Sequence, residues 1–197
     1  MLRRLTIGLG LTIMTWPLGA QDLATFKSEY LAELEYTSRN VIAMAQAMPA
    51  EKYGWRPGAG VRSVSEVYMH IATGNFILVD IIGQKAPEDL YGKAEASGRE
   101  RLMALLKRNA ELEKTVTEKQ RVVALLERSL AAAREAFEKA GAADLDKHVN
   151  FFGRDKTARA VYLRILAHVN EHMGQSVAYA RVNGIVPPWS RPAAKGE

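Results

Sequence analysis

The sequence predicts an all-α protein, a four-helix bundle with a short extra helix between the second and third long helices. Apolar residues recur at intervals of three and four along four long segments, which is the period of a helix with one buried face. No segment shows the alternation of apolar and polar residues that marks a half-buried strand. Prolines and glycines lie between the long segments and set their ends.

The first long helix is expected from about Asp22, its N-cap, to Met48, because Pro49 follows. Its buried stripe consists of Leu23, Phe26, Tyr30, Leu34, Thr37, Val41, Met44 and Met48. Residues 49–62 hold two prolines and three glycines, which interrupt any long helix. This segment is therefore predicted to form a loop.

The second long helix is predicted to begin with a capping box of Ser63 and Glu66, in which each side chain satisfies a free backbone N–H at the helix start. Gly83 ends this helix. Residues 84–98 are predicted to form a loop, and residues 99–113 form the short extra helix.

A second capping box, of Thr117 and Gln120, is predicted to open the third long helix, and Gly141 closes it. Residues 142–156 are then expected to form a loop. His148 lies in this loop beside a lysine and belongs to no apolar stripe, so it is expected at the surface.

Composition excludes several kinds of chemistry. The chain has 197 residues and no cysteine, which excludes disulfides, thiolate metal ligands and a cysteine nucleophile. The formal net charge of +5 is mild for this length, and both signs mix along residues 99–138. Mixed charges are typical of solvated helix faces. We therefore expect no nucleic-acid partner.

The first twenty residues are predicted to be a secretory signal. Arg3 and Arg4 precede an apolar run that is too short to span a bilayer comfortably, and small residues lead to Ala20. The alternative is an uncleaved membrane anchor. The mature chain is expected to be one bundle domain, residues 21–189, with a flexible tail, residues 190–197. It is expected to be exported, to the periplasm or medium, without membrane attachment.

Three histidines carry the main functional signal. The fourth long helix, predicted from about Thr157 to Val182, carries His168 and His172 on one face, one turn apart. Both occupy positions where a bundle places apolar residues, and an unpartnered buried imidazole costs roughly 1–3 kcal/mol. His70 of the second helix can complete a three-imidazole set with an open position, as in catalytic zinc sites. The alternative is core histidines bonded to backbone or water.

Other polar residues on these helices are weaker candidates. Asn75 and Gln175 are candidates for orienting the ligands or a substrate. Glu171 is either a general base on metal-bound water or a rim residue paired with a cation. The run from His168 to His172 also matches the H-x-x-E-H motif of inverted zinc proteases. The only carboxylate side chain downstream is that of the terminal residue, so the third ligand of that motif is missing.

Several motifs in this order resemble the DinB family of the DinB/YfiT-like superfamily. They are His70 with Asn75, the H-x-x-x-H-x-G-Q run from His168 to Gln175, and the G-x-x-P-P sequence that starts at Gly184. The resemblance spans residues 22–189. It implies a four-helix bundle with up-down-down-up connectivity, often dimeric, and a divalent ion held by three histidines, which map onto His70, His168 and His172.

The resemblance also implies a range of activities. Characterised relatives include transferases and isomerases that use low-molecular-weight thiols such as mycothiol or bacillithiol. Together with the histidines, this predicts a metal-dependent hydrolase or a thiol-dependent transferase acting on a small molecule. The ion is expected to be zinc or nickel, with manganese or iron as alternatives, since imidazole accepts several of these metals. The alternative function is a non-catalytic metal-binding or interaction protein.

Overall fold

The computed structural model describes residues 18–93 and 97–191, and the side chains from residue 22 onward. Most of the predicted signal (residues 1–17) and most of the predicted tail (residues 192–197) lie outside the described residues. The α-helices are α1 (Leu18–Ala47), α2 (Val64–Ile81), α3 (Glu88–Tyr91), α4 (Gly98–Thr115), α5 (Lys119–Lys139), α6 (Ala142–Asp146) and α7 (Ala158–Val182). The strands are β1 (His148–Phe151) and β2 (Arg154–Thr157), and 3₁₀ turns occupy Ala50–Lys52 and Pro188–Ser190.

The predicted helical fold is confirmed. Helices α1, α2, α5 and α7 pack against one another, and α4 packs along the outside of α2. The extra helix is not short, because α4 has 18 residues, as many as α2. No helix in the two described ranges combines the length and apolar character needed to cross a membrane.

Two apolar clusters hold the bundle together. One surrounds α2, where Phe76 and Leu126 are almost completely buried between α2 and α5. The other joins α1, α5 and α7 through aromatic rings: the ring of Phe137 lies 4.0 Å from that of Tyr30 and 4.8 Å from that of Tyr162, centroid to centroid. The Tyr30 hydroxyl also donates a 2.9 Å hydrogen bond to the Tyr162 carbonyl. These clusters fix α7 relative to α1 and α2.

One predicted helix start is confirmed and one is wrong. The Ser63–Glu66 capping box is present: the backbone N–H of Glu66 donates to the Ser63 hydroxyl, and that of Ser63 to the Glu66 carboxylate. Thr117 is not the N-cap of the third long helix. Glu118 caps α5 instead, accepting 2.9 Å hydrogen bonds from two backbone N–H groups. A carboxylate also suits the positive end of the helix dipole.

Two other predicted ends are also corrected. Asp22 lies inside α1, because that helix already begins at Leu18. Helix α5 ends at Lys139, where Ala140 turns to extended backbone, and Gly141 is the N-cap of the short helix α6.

The segment predicted to be a loop before α7 contains a β-hairpin. Strands β1 and β2 pair antiparallel, with Phe151 opposite Arg154, and Phe152 and Gly153 make the turn. Both turn residues have positive φ, 51° and 84°, as a type I′ turn requires. Four-residue strands are too short to show a clear alternation, which explains why the sequence pattern missed them. His148 is exposed, as predicted, and its Nδ1 lies 2.8 Å from the Asp155 carboxylate.

A largely buried ion pair ties α4 to the end of α2. The guanidinium of Arg101 donates to both oxygens of the Asp80 carboxylate, which also accepts a 2.9 Å bond from the Ala86 backbone N–H. Burial opposes ionisation of Asp80, but these donors outweigh it and hold the pKa of its carboxyl below the usual value. The pair therefore positions the start of α4 against the end of α2.

Replacing Asp80 with asparagine is expected to lower the free energy of unfolding by about 3 kcal/mol at pH 7, because it leaves a buried arginine without its charge partner. Since the folded pKa of Asp80 is lowered, its contribution is present above the ordinary value of 3.8 and is lost as the pH falls through the folded pKa. The difference between the two proteins in urea denaturation should therefore shrink below about pH 4.

The matched control for that variant is Asp89→Asn, which breaks an exposed ion pair with Arg128. Exposed pairs contribute at most about 1 kcal/mol, so this variant should be close to wild type. Equal losses in the two variants would contradict the importance given to the buried pair.

Candidate metal centre

Three histidine rings meet between α2 and α7. His168 and His172 project from one face of α7, with ring centroids 4.7 Å apart. The His70 ring, from α2, lies 4.9 Å from the first and 4.7 Å from the second. One nitrogen of each ring lies within 4.8 Å of the corresponding nitrogens of the other two. The structure thus brings together the three residues that the sequence singled out, although His70 is 98 residues from His168.

The ring orientations leave Nε2 of each histidine available. Nδ1 of His70 is bonded to the Glu113 carboxylate at 2.8 Å, and Nδ1 of His172 to the side-chain oxygen of Gln175 at 2.9 Å. Nε2 of His168 lies 3.2 Å from Nε2 of His70. Two imidazole nitrogens on one tetrahedral zinc ion are about 3.3 Å apart, given bonds of about 2.0–2.1 Å. The donor set and its spacing therefore fit a single divalent ion.

Gln175, a predicted orienting residue, does hold a histidine ring. Besides accepting from His172, its amide nitrogen donates a 2.8 Å hydrogen bond to the Tyr179 hydroxyl. That hydroxyl donates in turn to the Arg62 carbonyl, at 3.2 Å. The chain of bonds fixes the plane of the His172 ring and joins α7 to the loop before α2.

Glu113 plays the same part for His70, and sequence reasoning missed it. Its carboxylate accepts from His70 through one oxygen and from the Arg62 side chain, at 2.9 Å, through the other. Burial opposes ionisation of this carboxyl, but the two donors hold its pKa below the usual value. No local pattern could have revealed it, because Glu113 lies on α4, 43 residues from His70.

Gly74 makes room for the His168 ring. A Cβ atom at Gly74 would lie 2.6 Å from Cε1 and 3.2 Å from Nδ1 of that ring. Glycine inside a helix costs about 1 kcal/mol relative to alanine, so its presence in α2 needs a packing reason, and the ring supplies one. A glycine inside the predicted second helix was the available sequence signal.

His168 is the most buried of the three rings, with 8% of its surface exposed. Burial, and then the neighbouring histidines, lowers its pKa to about 3, so the ring is neutral at ordinary pH and able to bind a metal. Its Nδ1 has no hydrogen-bond partner among the described residues. Its Nε2 lies beside that of His70, and coordination of a metal at this nitrogen would offset part of the cost of burying the ring.

The two remaining candidates, Asn75 and Glu171, are hydrogen-bonded to other residues and not to the three histidines. Asn75 is completely buried and donates to the Ser129 hydroxyl of α5 at 3.2 Å, so it lies in the α2–α5 interface. Glu171 is exposed, and its carboxylate accepts two hydrogen bonds from Arg164, at 2.8 and 2.6 Å, which lower its pKa. This geometry corresponds to a rim residue paired with a cation, and a carboxylate so engaged is a poor general base.

A cavity of about 330 Å³ opens beside His70 and His168. Its charged lining residues are Arg62, Glu113 and Arg164, and its apolar ones include Ile77, Leu78, Leu106, Phe151 and Phe152. The volume and the mixture of apolar walls with a few polar groups are typical of a small-molecule site.

Comparison with known proteins identifies the family. The sequence profile of the DinB superfamily matches residues 33–176. A crystal structure of a DinB-like protein from Bacillus cereus is similar, with a TM-score of 0.62 and 20% identity over 82% of this chain and 95% of that one. A DinB-like protein from Bacillus subtilis gives a TM-score of 0.59 and 17% identity, over 84% and 96%. No curated protein matches. The chain belongs to the DinB superfamily.

Proposed function

We propose that this protein is a divalent-metal-dependent enzyme whose ion is held by His70, His168 and His172. The observation that carries the proposal is the convergence of three imidazole nitrogens, at a spacing suited to one ion, beside a cavity of small-molecule size. Neutral imidazole suits zinc, nickel and iron alike, with zinc or nickel as our first choice.

The group of described side chains able to hold an ion contains these three histidines and no fourth ligand, which leaves a position for a nucleophile or substrate. A bound divalent ion would act as a Lewis acid and lower the pKa of a water or thiol beside it. With water the reaction is a hydrolysis; with a small thiol it is a transfer.

The chain's own residues would prepare the site for that chemistry. Glu113 and Gln175 fix two of the rings through their Nδ1 atoms, which directs Nε2 toward the centre. Arg62 and Arg164 line the cavity as ion pairs with Glu113 and Glu171, and the apolar residues beside them make its wall partly apolar. The most suitable substrates are therefore small and at least partly apolar.

The proposal is tested by loading chelator-treated protein with zinc or nickel. Hydrolysis of 4-nitrophenyl esters is measured, together with transfer of a small thiol to an aryl halide. We expect one equivalent of ion to restore turnover, and the His172→Ala variant to stay inactive. Stoichiometric ion binding without turnover in either assay would favour the alternative of a non-catalytic metal-binding protein.

We also propose that the protein is exported, as the basic, apolar and small-residue order of residues 1–20 suggests. Mass spectrometry of protein from the periplasmic or medium fraction should show a chain beginning near Gln21. A full-length chain confined to the cytoplasm would contradict export.

A further inference from the structure

A second cavity, of about 710 Å³, adjoins the one beside the histidines. The two share Leu106 and Phe152 in their walls, so they meet at these residues. One face of α4 runs through both, in steps of three and four residues: Glu113, Ala110, Leu106, Met103 and Arg99. The two joined cavities form a groove. At 1.5 Å per residue, this face of α4 extends about 20 Å along it, from the metal centre to the far end at Arg99.

The middle of this groove is apolar and exposed. Met103 is 56% exposed, Phe152 44% and Leu106 37%. Phe152 and Leu106 line both cavities, and Met103 lines the second. Large apolar side chains exposed together on a protein surface mark a binding site more often than a solvent face. The groove therefore favours an apolar segment of a ligand at this point.

The far end of the groove is basic. Lys85, Arg99 and Arg101 line it. Asp80 pairs with Arg101 and also attracts Lys85, so one carboxylate faces three cations. Among the described residues, Arg99 forms no ion pair. An anionic group at this end would be complementary to the charge that remains.

Phe152 adds an independent observation. It is the one described residue other than glycine with positive φ, at 51°, where asparagine or glycine is the favoured residue. Its backbone is thus strained while its ring is exposed beside the metal centre. Strain of this kind persists where function requires a side chain in that place.

We propose that the substrate of the metal site is an elongated amphiphile. Its polar reacting end lies at the histidines, an unbranched apolar segment lies along Leu106, Met103 and Phe152, and an anionic group lies at the far end near Lys85 and Arg99. This inference rests on the proposed function and names the class of substrate for that same site.

Hydroxamates, which bind metals through a small polar head, test the inference by calorimetry on the zinc-loaded protein. Decanohydroxamate should bind roughly 100-fold more tightly than acetohydroxamate, since full burial of each methylene would give nearly fourfold and this groove is open. The monohydroxamate of hexadecanedioic acid, which carries a terminal carboxylate and is long enough to reach the far end of the groove, should bind at least as tightly as the decyl compound at low salt. Its affinity should fall when salt is raised.

Two pairs of variants locate the binding. Phe152→Asn should weaken decanohydroxamate about tenfold more than acetohydroxamate and keep the melting temperature, because asparagine suits the turn. Its control is Leu163→Asn, an exposed apolar residue outside the groove. Arg99→Gln should weaken only the hexadecanedioic compound, whereas Lys107→Gln, exposed on the same helix but outside the groove, should weaken neither compound.

The outcomes separate the two proposals. If acetohydroxamate does not bind the zinc-loaded protein, the proposed function itself is wrong. If acetohydroxamate binds and the decyl chain adds no affinity, or if Phe152→Asn leaves that gain intact, the amphiphile is wrong and the metal site stands. A dimer in sedimentation that dissociates in Phe152→Asn would show that a second copy covers the groove, which also overturns the inference.

Discussion

The His168→Ala variant is expected to lose stoichiometric metal. Loss of a residue that merely orients a ligand already weakens metal binding about 10–100-fold, so loss of a ligand should cost about 100-fold or more. The three ring centroids lie 4.7 to 4.9 Å apart, and Nε2 of His168 lies 3.2 Å from that of His70, so the variant removes one corner of the site. Elemental analysis after dialysis, and competition with a chromophoric chelator, measure the loss.

The control for this variant is His148→Ala. His148 is an exposed histidine on the hairpin, bonded to Asp155 and outside the cluster, so the variant should keep its metal. Circular dichroism must show that both variants remain helical. Retention of one tightly held ion by folded His168→Ala protein would show that the cluster is not the metal site.

The Gly74→Ala variant is expected to damage both stability and metal binding. The new Cβ would lie 2.6 Å from the His168 ring, closer than real contacts allow, so the ring or helix α2 must shift. Overpacking of this kind costs about 1–3 kcal/mol, against which alanine gains about 1 kcal/mol in helix propensity. Because the displaced ring no longer directs Nε2 at the centre, metal affinity should fall about tenfold or more.

Gly174→Ala is the matched control. Gly174 also lies inside a helix, but a Cβ there would have nothing within 4 Å. That variant should be as stable as wild type or more stable by up to about 1 kcal/mol, with unchanged metal affinity. Equal metal affinity in the two variants would contradict the role assigned to Gly74.

The parts of the site that sequence predicts are those set by local geometry. Helical spacing places His168 and His172 on one face, and His70, which flanks the buried seam of the second helix, is the further imidazole that can complete the set. The Ser63 capping box fixes where α2 begins, and thereby which residues of α2 face α7. These signals lie within a few residues of each other, so a single sequence is enough to see them.

The parts that sequence misses depend on contacts between distant segments. Glu113 reaches His70 only because α4 packs along α2, and nothing near Glu113 in the chain indicates that packing. The hairpin was missed for a different reason: its strands have four residues each, and its turn begins with Phe152 where asparagine would be the recognisable signal. Both missed features line the cavity beside the histidines.

X-ray absorption spectroscopy of the zinc- or nickel-loaded protein tests the central claim most directly. We expect one ion per chain with three imidazole nitrogens at about 2.0–2.1 Å and one oxygen ligand, from water or buffer, in the remaining position. A spectrum that shows fewer than three imidazoles, or a chain that binds no stoichiometric ion, would contradict the account.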